Sequence, residues 1–383
     1  MKILIALSSL HSGGAERVAC TLADAWSARG DEVIMLATFS ERGSCFYRIS
    51  ETVRVIYLAD LTPTKKRSLL NRVQRLSAYR WLLKEERPDV IVSFLPGVNV
   101  ASVLASRGLG IPVIAGECTD PMAWNMPASE MLVYRLAYRH AEMLTVQTQA
   151  VADKIPMVFP RLKHLEVVPN PIPAPLQHFA RPDLSASKRK RLIAMGRLSE
   201  EKQFALLIDV FCSVAAEWPD WDLAIFGEGG LREALERQIA GSRFSGRITL
   251  GGATSTPWDE MARSHAFVMT SRIEGFPNAL LEAMAIGLPC AVFDCPSGPR
   301  EITRDGTDAL LVPLNDRTAL ADALRGLMSD DAMREELGSK ARASVASRFS
   351  LQVVLDQYDR LFCKVGVRMM AAAGREDPMG MHA

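Results

Sequence analysis

Short apolar runs alternate with longer amphipathic stretches along the whole chain. Between the runs of the first half, amphipathic patterns such as residues 15–28 and 68–83 predict helices. Strands that alternate with helices form mainly parallel sheets covered on both faces, so the first half is predicted to be a Rossmann-like α/β domain. We expect its strands at residues 3–6, 33–37, 53–58, 90–94, 112–115, 144–146 and 165–168.

A proline-rich segment separates this half from a second series of the same kind. Residues 169–175 read Pro-Asn-Pro-Ile-Pro-Ala-Pro, through which neither a helix nor a strand continues. The predicted domains are 1–170 and 171–350, followed by a helical segment, 351–373, that packs back towards the first domain, and a loose tail, 374–383. In the second domain we expect strands at 192–195, 223–226, 248–250, 266–270, 290–293 and 310–312, and a final helix at 351–364.

Composition narrows the class of protein. A chain of 383 residues, 48% of them hydrophobic, is long enough for two cores, and its net charge of +1 argues against a nucleic-acid binder. Seven cysteines without a CxxC pair are typical of reduced thiols in the cytosol. The first apolar run leads directly to Gly13 and Gly14, which indicates a buried strand and not a signal peptide, and no apolar stretch predicts a membrane span.

Two carboxylates bracket a predicted helix start. Glu274 and Glu282 are eight positions apart, and the stretch between them begins Gly275-Phe276-Pro277-Asn278. Gly275 permits close approach of the backbone and Pro277 suits a first helical turn, so the free amides of this turn can meet a diphosphate. Glu282 can accept hydrogen bonds from a ribose diol, and Glu274 can reach hydroxyls of a transferred hexose. Taken alone, an acidic turn that complements the helix dipole explains the pattern equally well.

Cations and glycines follow other strands of the second half. Gly196 and Arg197 end the strand at 192–195, and Lys202 lies five residues further on; a guanidinium and an ammonium together would neutralise a departing diphosphate. After the strand at 223–226, Gly227 begins a glycine-rich turn, but Arg232 stands where the third glycine of GxGxxG belongs, which disfavours dinucleotide binding. A tight turn and close approach to a nucleotide both remain open for these glycines.

Three further features concern the cleft and metals. Gly13 and Gly14 open a helix whose N-terminus would face a phosphate across the cleft. His11 lies beside the same loop, where a place in the sugar pocket competes with a surface or capping role. Asp220 and Asp222 match an aspartate pair that holds a metal in one class of enzymes, but they precede a strand and so lie at the wrong end of the sheet. We therefore predict no metal.

Together these motifs resemble the retaining glycosyltransferases of family 4, which have the two-domain GT-B fold. The resemblance implies metal-independent transfer of a hexose or N-acetylhexosamine, with retention, from a nucleoside diphosphate sugar. We expect this donor to be a UDP-sugar, without any other cofactor. It places Arg197 and Lys202 at the diphosphate, Glu282 at the ribose and Glu274 at the donor sugar, with an acceptor-binding first domain and a donor-binding second domain. The motifs that carry it are Gly13 to Arg17, Val168 to Pro171, Gly196 with Arg197 and Lys202, Gly227 to Gly229, and Glu274 with Glu282.

One departure from the family concerns the first domain. Many members carry a histidine after the strand that here ends at Gly116, whereas this chain continues with Glu117 and Cys118. Glu117 is therefore our candidate for a contact with an acceptor or donor hydroxyl. The acidic loops and the Cys295-Pro296-Ser297-Gly298-Pro299 stretch resemble the subgroup that builds bacterial surface polysaccharides on glycan or polyprenyl-diphosphate-linked acceptors.

Residues 61–90 contain eight basic and three acidic side chains in an amphipathic pattern. Such a helix can lie on an anionic bilayer, and it can equally pack its apolar stripe on the sheet. We expect the protein in the cytoplasm, with peripheral contact at the inner face of the membrane as a hypothesis. The alternatives to a transferase are a sugar-nucleotide epimerase of the same fold and a non-catalytic sugar-nucleotide-binding subunit; the presence of Arg197 and Lys202 disfavours the subunit.

Overall fold

Two fully parallel sheets organise the chain in the computed structural model, which describes residues 1–11, 13–39, 45–62, 69–123, 126–184 and 186–367. Every predicted apolar run forms a strand, so the predicted fold class of two Rossmann-like α/β domains is confirmed. The first sheet contains β1 (Lys2–Leu7), β2 (Glu32–Ala37), β3 (Arg54–Tyr57), β4 (Val90–Phe94), β5 (Val113–Glu117), β6 (Met143–Val146) and β7 (Leu165–Val167). The second contains β8 (Lys190–Met195), β9 (Trp221–Phe226), β10 (Ile248–Gly252), β11 (Ala266–Met269), β12 (Cys290–Phe293) and β13 (Leu310–Val312).

Helices cover both faces of each sheet. Those of the first domain are α1 (Gly14–Ala28), α2 (Leu69–Glu86), α3 (Pro96–Ser106), α4 (Ala128–Tyr138), α5 (Gln149–Ala152) and α6 (Ile155–Val158). Those that follow are α7 (Ala174–Gln177), α8 (Phe204–Val214), α9 (Arg232–Ala240), α10 (Pro257–Ala262), α11 (Asn278–Ile286), α12 (Pro299–Ile302), α13 (Arg317–Ser329), α14 (Asp331–Phe349) and α15 (Leu351–Lys364). Short 3₁₀ turns lie at Leu58–Leu61, Pro121–Ala123, Glu200–Lys202 and Ser245–Arg247.

The order of the strands determines where ligands can bind. The first sheet runs β3-β2-β1-β4-β5-β6-β7 and the second β10-β9-β8-β11-β12-β13. In each sheet the direction of winding reverses at the centre, between β1 and β4 and between β8 and β11. The loops after such neighbouring strands leave the sheet in opposite directions and open a crevice at its carboxyl edge, where open α/β sheets bind their ligands.

The chain crosses between the domains twice, at neighbouring points. The first crossing follows β7, and the second joins α14 to α15; the Ile172 amide donates to the Phe349 carbonyl at 2.7 Å and ties the two crossings together. After the second crossing α15 packs on the first domain. The Trp26 ring lies 5.3 Å from the ring of Tyr358 and 5.6 Å from that of Phe362.

An ion pair adds to this contact, because Arg29 donates to both carboxylate oxygens of Asp359 at 2.9 Å. The C-terminal helix is thus part of the core of the first domain although it follows the second in sequence. The predicted tail at 374–383, and the last residues of the predicted 351–373 segment, lie outside the described residues.

Candidate active site between the two domains

The loops after β8 and β11 meet at the crevice of the second sheet. Lys202 follows β8, Glu274 follows β11, and the Lys202 ammonium donates to the Glu274 carboxylate. Both side chains are mostly buried, whereas Arg197 is exposed on the same β8 loop. Residues 72 positions apart in sequence are therefore brought together at the carboxyl edge of the sheet.

Glycines hold the β8 loop in its position. Gly227 has a φ of +143°, and a Cβ there would lie 1.9 Å from the carbonyl oxygen of Gly196. The two loops are also joined by the Leu198 amide, which donates to the Glu228 carbonyl at 2.9 Å. Any side chain at Gly227 would push the loop that carries Arg197 away from the sheet. In this structure the glycine-rich turn therefore supports the neighbouring loop.

Two helix N-termini face each other across the cleft. Helix α11 begins at Asn278, with Pro277 before it, and α1 begins at Gly14. The Asn278 amide group donates to the Gly14 carbonyl at 3.4 Å and accepts from the side chain of Asn170 at 2.7 Å. Because the N-terminus of a helix carries a partial positive charge and free amide groups, this junction favours an anion between the domains.

Glu282 is buried where the two domains meet, one turn into α11. Its side chain is 2% exposed; one carboxylate oxygen accepts from Arg17 of α1 and the other from the Trp258 indole at 2.9 Å. The Arg17 guanidinium also lies 5.3 Å from the centre of the Tyr47 ring. Burial alone would lower the pKa of Arg17, but the Glu282 carboxylate and Tyr47 raise it, so the side chain stays charged. Sequence reasoning missed Arg17 and Trp258 as partners of Glu282.

A large cleft opens beside this cluster. It has a volume of about 1090 Å³ and lies between α1 and the 46–50 segment on one side and residues 254–259 of the second domain on the other. Its walls include the aromatic side chains of Phe46, Tyr47, Phe179 and Trp258. Arg17 and Trp258 line this cleft and also contact the Glu282 carboxylate. A flat ring bound in the cleft would therefore lie near that carboxylate.

Two of the predicted site residues have other surroundings. Phe276 is buried in the core of the second domain, where its ring packs 5.7 Å from the ring of Phe349, so its side chain supports the β11 loop from below. His11 is exposed on the loop after β1. Gly275 lies at the cleft itself, because a Cβ at this position would be 2.0 Å from the carbonyl oxygen of Cys118 in the first domain.

The carboxyl group of Glu117 points into the first domain and not into the cleft. One oxygen accepts from the Tyr138 hydroxyl and from the Asn99 side chain at 2.9 Å, and the other oxygen is buried without a hydrogen-bond partner. Burial raises the pKa of Glu117 to about 8, against the lowering effect of its two donors. This position does not support the predicted contact with a sugar hydroxyl, because the carboxyl group is bonded to Tyr138 of α4 and Asn99 of α3 inside the first domain.

The aspartates considered for a metal lie at the far edge of the second sheet. Asp220 precedes β9 and Asp222 lies at its start, where Arg189 donates to the Asp222 carboxylate at 2.7 Å. Within the described ranges no group of three or more His, Cys, Asp and Glu side chains is arranged to hold a metal ion.

Solved structures show which known fold this chain has. The chain superposes on Anabaena HepE in complex with UDP with a TM-score of 0.78, at 18% identity over 95% of this chain and 100% of that one. It superposes on a Staphylococcus aureus TarM mutant, solved with Fondaparinux, alpha-GlcNAc-glycerol and UDP, with a TM-score of 0.79, at 14% identity over 94% and 99% of the two chains. These neighbours are GT-B glycosyltransferases, and they share the fold of this chain.

Each of the two domains matches a model of a glycosyltransferase domain family. Residues 13–171 match the glycosyl transferase 4-like domain, and residues 177–344 match the glycosyl transferases group 1 domain. The two matches meet at the proline-rich crossing between the domains. The protein is therefore a glycosyltransferase made of these two domains, one on each side of the cleft.

Curated relatives add the biological setting. An α-1,4-N-acetyl-D-galactosaminyltransferase of Campylobacter jejuni, named for a diNAcBac-PP-undecaprenol-linked substrate, is 26% identical over 95% of this chain and 99% of its own length. The amylovoran biosynthesis glycosyltransferase AmsD of Erwinia amylovora is 27% identical over 89% and 93%. An exopolysaccharide phosphotransferase of Streptomyces coelicolor is 30% identical over 96% of this chain, which spans 40% of that relative's length. The setting common to these relatives is bacterial glycan biosynthesis.

Replacing Gly275 with alanine is expected to hold the two domains apart. The new methyl group would lie 2.0 Å from the Cys118 carbonyl, so the backbones on the two sides of the cleft must separate. Small-angle X-ray scattering should show a larger radius of gyration at unchanged helix content. Gly230→Ala is the matched control, because no atom lies within 4 Å of a Cβ there. Identical scattering from both variants would contradict the close contact between Gly275 and the Cys118 carbonyl.

Replacing Glu117 with glutamine is expected to change how stability depends on pH. Between its ordinary pKa of 4.5 and its folded pKa of about 8, Glu117 keeps a proton that the unfolded chain releases, so the wild type loses stability as pH rises through this range. Glutamine does not titrate, so the difference in melting temperature between wild type and Glu117→Gln should change steadily across this range and level off above it. A difference that is constant with pH would show that Glu117 is ionised in the folded protein.

Proposed function

We propose that this protein is a retaining glycosyltransferase that moves a hexose or N-acetylhexosamine from a UDP-sugar to a sugar hydroxyl of a lipid-linked or polysaccharide acceptor. The observation that carries the proposal is the meeting of Lys202 and Glu274 at the crevice between β8 and β11, with the N-termini of α1 and α11 opposite each other. A cation, a carboxylate and two positive helix ends in one cleft suit a substrate with a diphosphate at one end and hydroxyls at the other.

The diphosphate is the leaving group, so its growing negative charge needs stabilisation. Arg197 and Lys202 supply two positive charges on one loop, and the amides at the start of α11 supply hydrogen-bond donors. Glu274 holds Lys202 in the direction of the crevice and can accept a hydrogen bond from a hydroxyl of the donor sugar. With charge supplied in this way, transfer proceeds without a divalent ion.

Retention follows if the acceptor hydroxyl attacks the face of the sugar from which the diphosphate departs. The bond from the anomeric carbon to the phosphate oxygen breaks while the bond to the acceptor oxygen forms, and the departing phosphate oxygen takes the acceptor proton. No protein base is then required beside the anomeric carbon. Glu117 is buried in the first domain and bonded to Tyr138 and Asn99, so it is not needed as a base in this scheme.

The nucleoside is proposed to bind at Glu282 and in the adjacent cleft of about 1090 Å³. A carboxylate can accept hydrogen bonds from both hydroxyls of a ribose. The aromatic wall that contains Trp258 suits stacking with a nucleotide base. In the structure, however, both Glu282 oxygens already have partners. Because the Glu282 side chain is 2% exposed, we propose that a ribose reaches it by replacing Arg17, so that donor binding competes with the contact between the domains.

The acceptor is assigned from the names of relatives. The Campylobacter jejuni relative is named for an undecaprenyl-diphosphate-linked glycan and AmsD for the polysaccharide amylovoran. We therefore propose a lipid-linked or polysaccharide acceptor that presents a sugar hydroxyl. We place the protein in the cytoplasm, at the inner face of the membrane where such lipids are assembled.

The proposal is tested by screening nucleotide sugars for thermal stabilisation and for transfer. A ligand at about a hundred times its Kd stabilises the folded state by about 2.7 kcal/mol, so the true donor should raise the melting temperature measurably. Glu282→Ala should abolish this rise while Asp222→Ala, at the opposite edge of the sheet, should keep it. Turnover should be unchanged by EDTA. An undiminished rise in Glu282→Ala, or turnover that EDTA stops, would overturn the assigned site or the metal-free reaction.

Replacing Arg17 with methionine is expected to tighten the binding of UDP. In the proposed binding mode the ribose displaces Arg17 from Glu282, so removing the guanidinium removes a competitor for the carboxylate. Calorimetric titration of UDP should therefore give a lower Kd for Arg17→Met. Arg29→Met is the control, since it removes the other α1-flanking ion pair, with Asp359, which lies away from the cleft. Weaker binding by Arg17→Met would show that Arg17 contacts the nucleotide instead of competing with it.

A further inference from the structure

The outer face of α4 carries exposed aliphatic side chains. The helix buries Tyr134, Ala137 and Tyr138 in the first domain and turns Leu132, Val133 and Leu136 to solvent, with Leu132 55% exposed. Met157 on α6 is 66% exposed and Met122, between β5 and α4, is 57% exposed. Single exposed apolar residues are ordinary, but five of the eleven large ones in the described part of the chain lie on this one side of the first domain.

Hydrogen bonds join the three segments that carry these exposed side chains. The Arg135 side chain of α4 donates to the Val158 carbonyl of α6 at 2.8 Å. Lys154, directly before α6, donates to Asp120, in the segment that carries Met122, at 2.6 Å. We call the side chains of Met122, Leu132, Val133, Leu136 and Met157, together with the arginines beside them, the α4 surface.

Three arginines border the aliphatic side chains. Arg135, Arg139 and Arg161 line a depression of about 240 Å³, whose other walls include Leu136 and Phe159. The neighbouring acidic groups are Glu130 at the start of α4 and Glu142, which accepts from Lys163 at 2.6 Å. Guanidinium groups bind phosphates with paired hydrogen bonds, so the depression matches a phosphate group beside an apolar layer.

Helix α2, for which the sequence allows either contact with a bilayer or packing on the sheet, has a different arrangement. In α2, Tyr79, Leu82 and Leu83 are buried against the sheet, while Val73 and Trp81 are exposed. Arg75 donates to the Thr38 carbonyl at 3.0 Å, and Arg80 donates to the carbonyls of Ala105 and Arg107 at 2.8 and 2.7 Å. Two of its arginines therefore hold the fold together, and Lys65, Lys66 and Arg67 lie outside the described residues. No described helix is long and apolar enough to cross a membrane.

We propose that the α4 surface docks on an anionic phospholipid bilayer, with Leu132, Val133 and Leu136 among the lipids and Arg135, Arg139 and Arg161 on the headgroup phosphates. A surface that combines aliphatic and cationic side chains binds at the boundary between headgroups and acyl chains. The segment that leads from β5 to this surface begins at Cys118, whose carbonyl lies against Gly275 at the cleft. Docking here places the cleft close to the headgroups, and this consequence rests on the proposed lipid-linked acceptor.

The experiment is flotation of the full chain with vesicles of phosphatidylcholine alone and with phosphatidylglycerol added. The wild type should float with the anionic vesicles, and a Leu132→Ser, Val133→Ser, Leu136→Ser variant should lose about tenfold or more in partitioning. Arg139→Gln with Arg161→Gln should remove the preference for anionic lipid. Val73→Ser with Trp81→Ser, the exposed apolar pair of α2, is the matched control and should float like the wild type.

Three results would overturn the proposal. They are a wild type that stays unbound, a triple serine variant that floats as well as the wild type, and a loss of flotation carried by the α2 pair. A wild-type dimer that the triple variant converts to a monomer, without vesicle binding by either, would assign the surface to a second copy of the chain. Donor-dependent thermal stabilisation should be the same in all these variants, so failure of the docking is distinguished from failure of the transferase assignment.

Discussion

The buried carboxylate of Glu282 is the constraint on which the closed arrangement of the domains depends. A carboxylate with almost no access to water needs compensating donors, and here they come from Arg17 of the first domain and Trp258 of the second. Breaking a buried pair by removing one partner is costly, because the remaining charge is left without compensation. In the proposed function, the two hydroxyls of a ribose replace the hydrogen bond from Arg17. The same side chain thus joins the two domains and is the proposed contact of the nucleoside.

The rest of the site follows from sheet topology. Because both sheets reverse their winding at the centre, the loops after β8 and β11 in one domain, and after β1 in the other, open towards the same space. This places Lys202 against Glu274, and Gly14 against Asn278, although the partners in each pair are far apart in sequence. The glycines at this seam are required by close backbone approach, as at Gly275 beside the Cys118 carbonyl.

Much of this could be predicted from the sequence, for identifiable reasons. Buried parallel strands are continuous apolar runs, so every strand was visible, and residues at the ends of those runs, such as Arg197 and Glu274, had to lie at the carboxyl edge. The direction of a side chain was not predictable. Glu117 turns inward because Asn99 and Tyr138, from two different helices, offer donors there. Arg17 belongs to the Gly13 to Arg17 motif, but it meets Glu282 only because the two domains are in contact. The exposed aliphatic side chains of α4 could not be predicted, because the sequence does not show which face of that helix is covered.

Closure also has a chemical purpose. Water competes with any acceptor for an activated sugar, so a glycosyltransferase must bring its two halves together around the donor before the bond breaks. The seam of Gly14, Gly275 and Asn278 permits contact so close that added side chains would clash. If the ribose takes the place of Arg17 on Glu282, the energy of the interdomain ion pair is exchanged for donor contacts instead of being added to them. In the proposed reaction, donor affinity is then kept moderate, and the nucleotide product can leave because Arg17 can bind the carboxylate again.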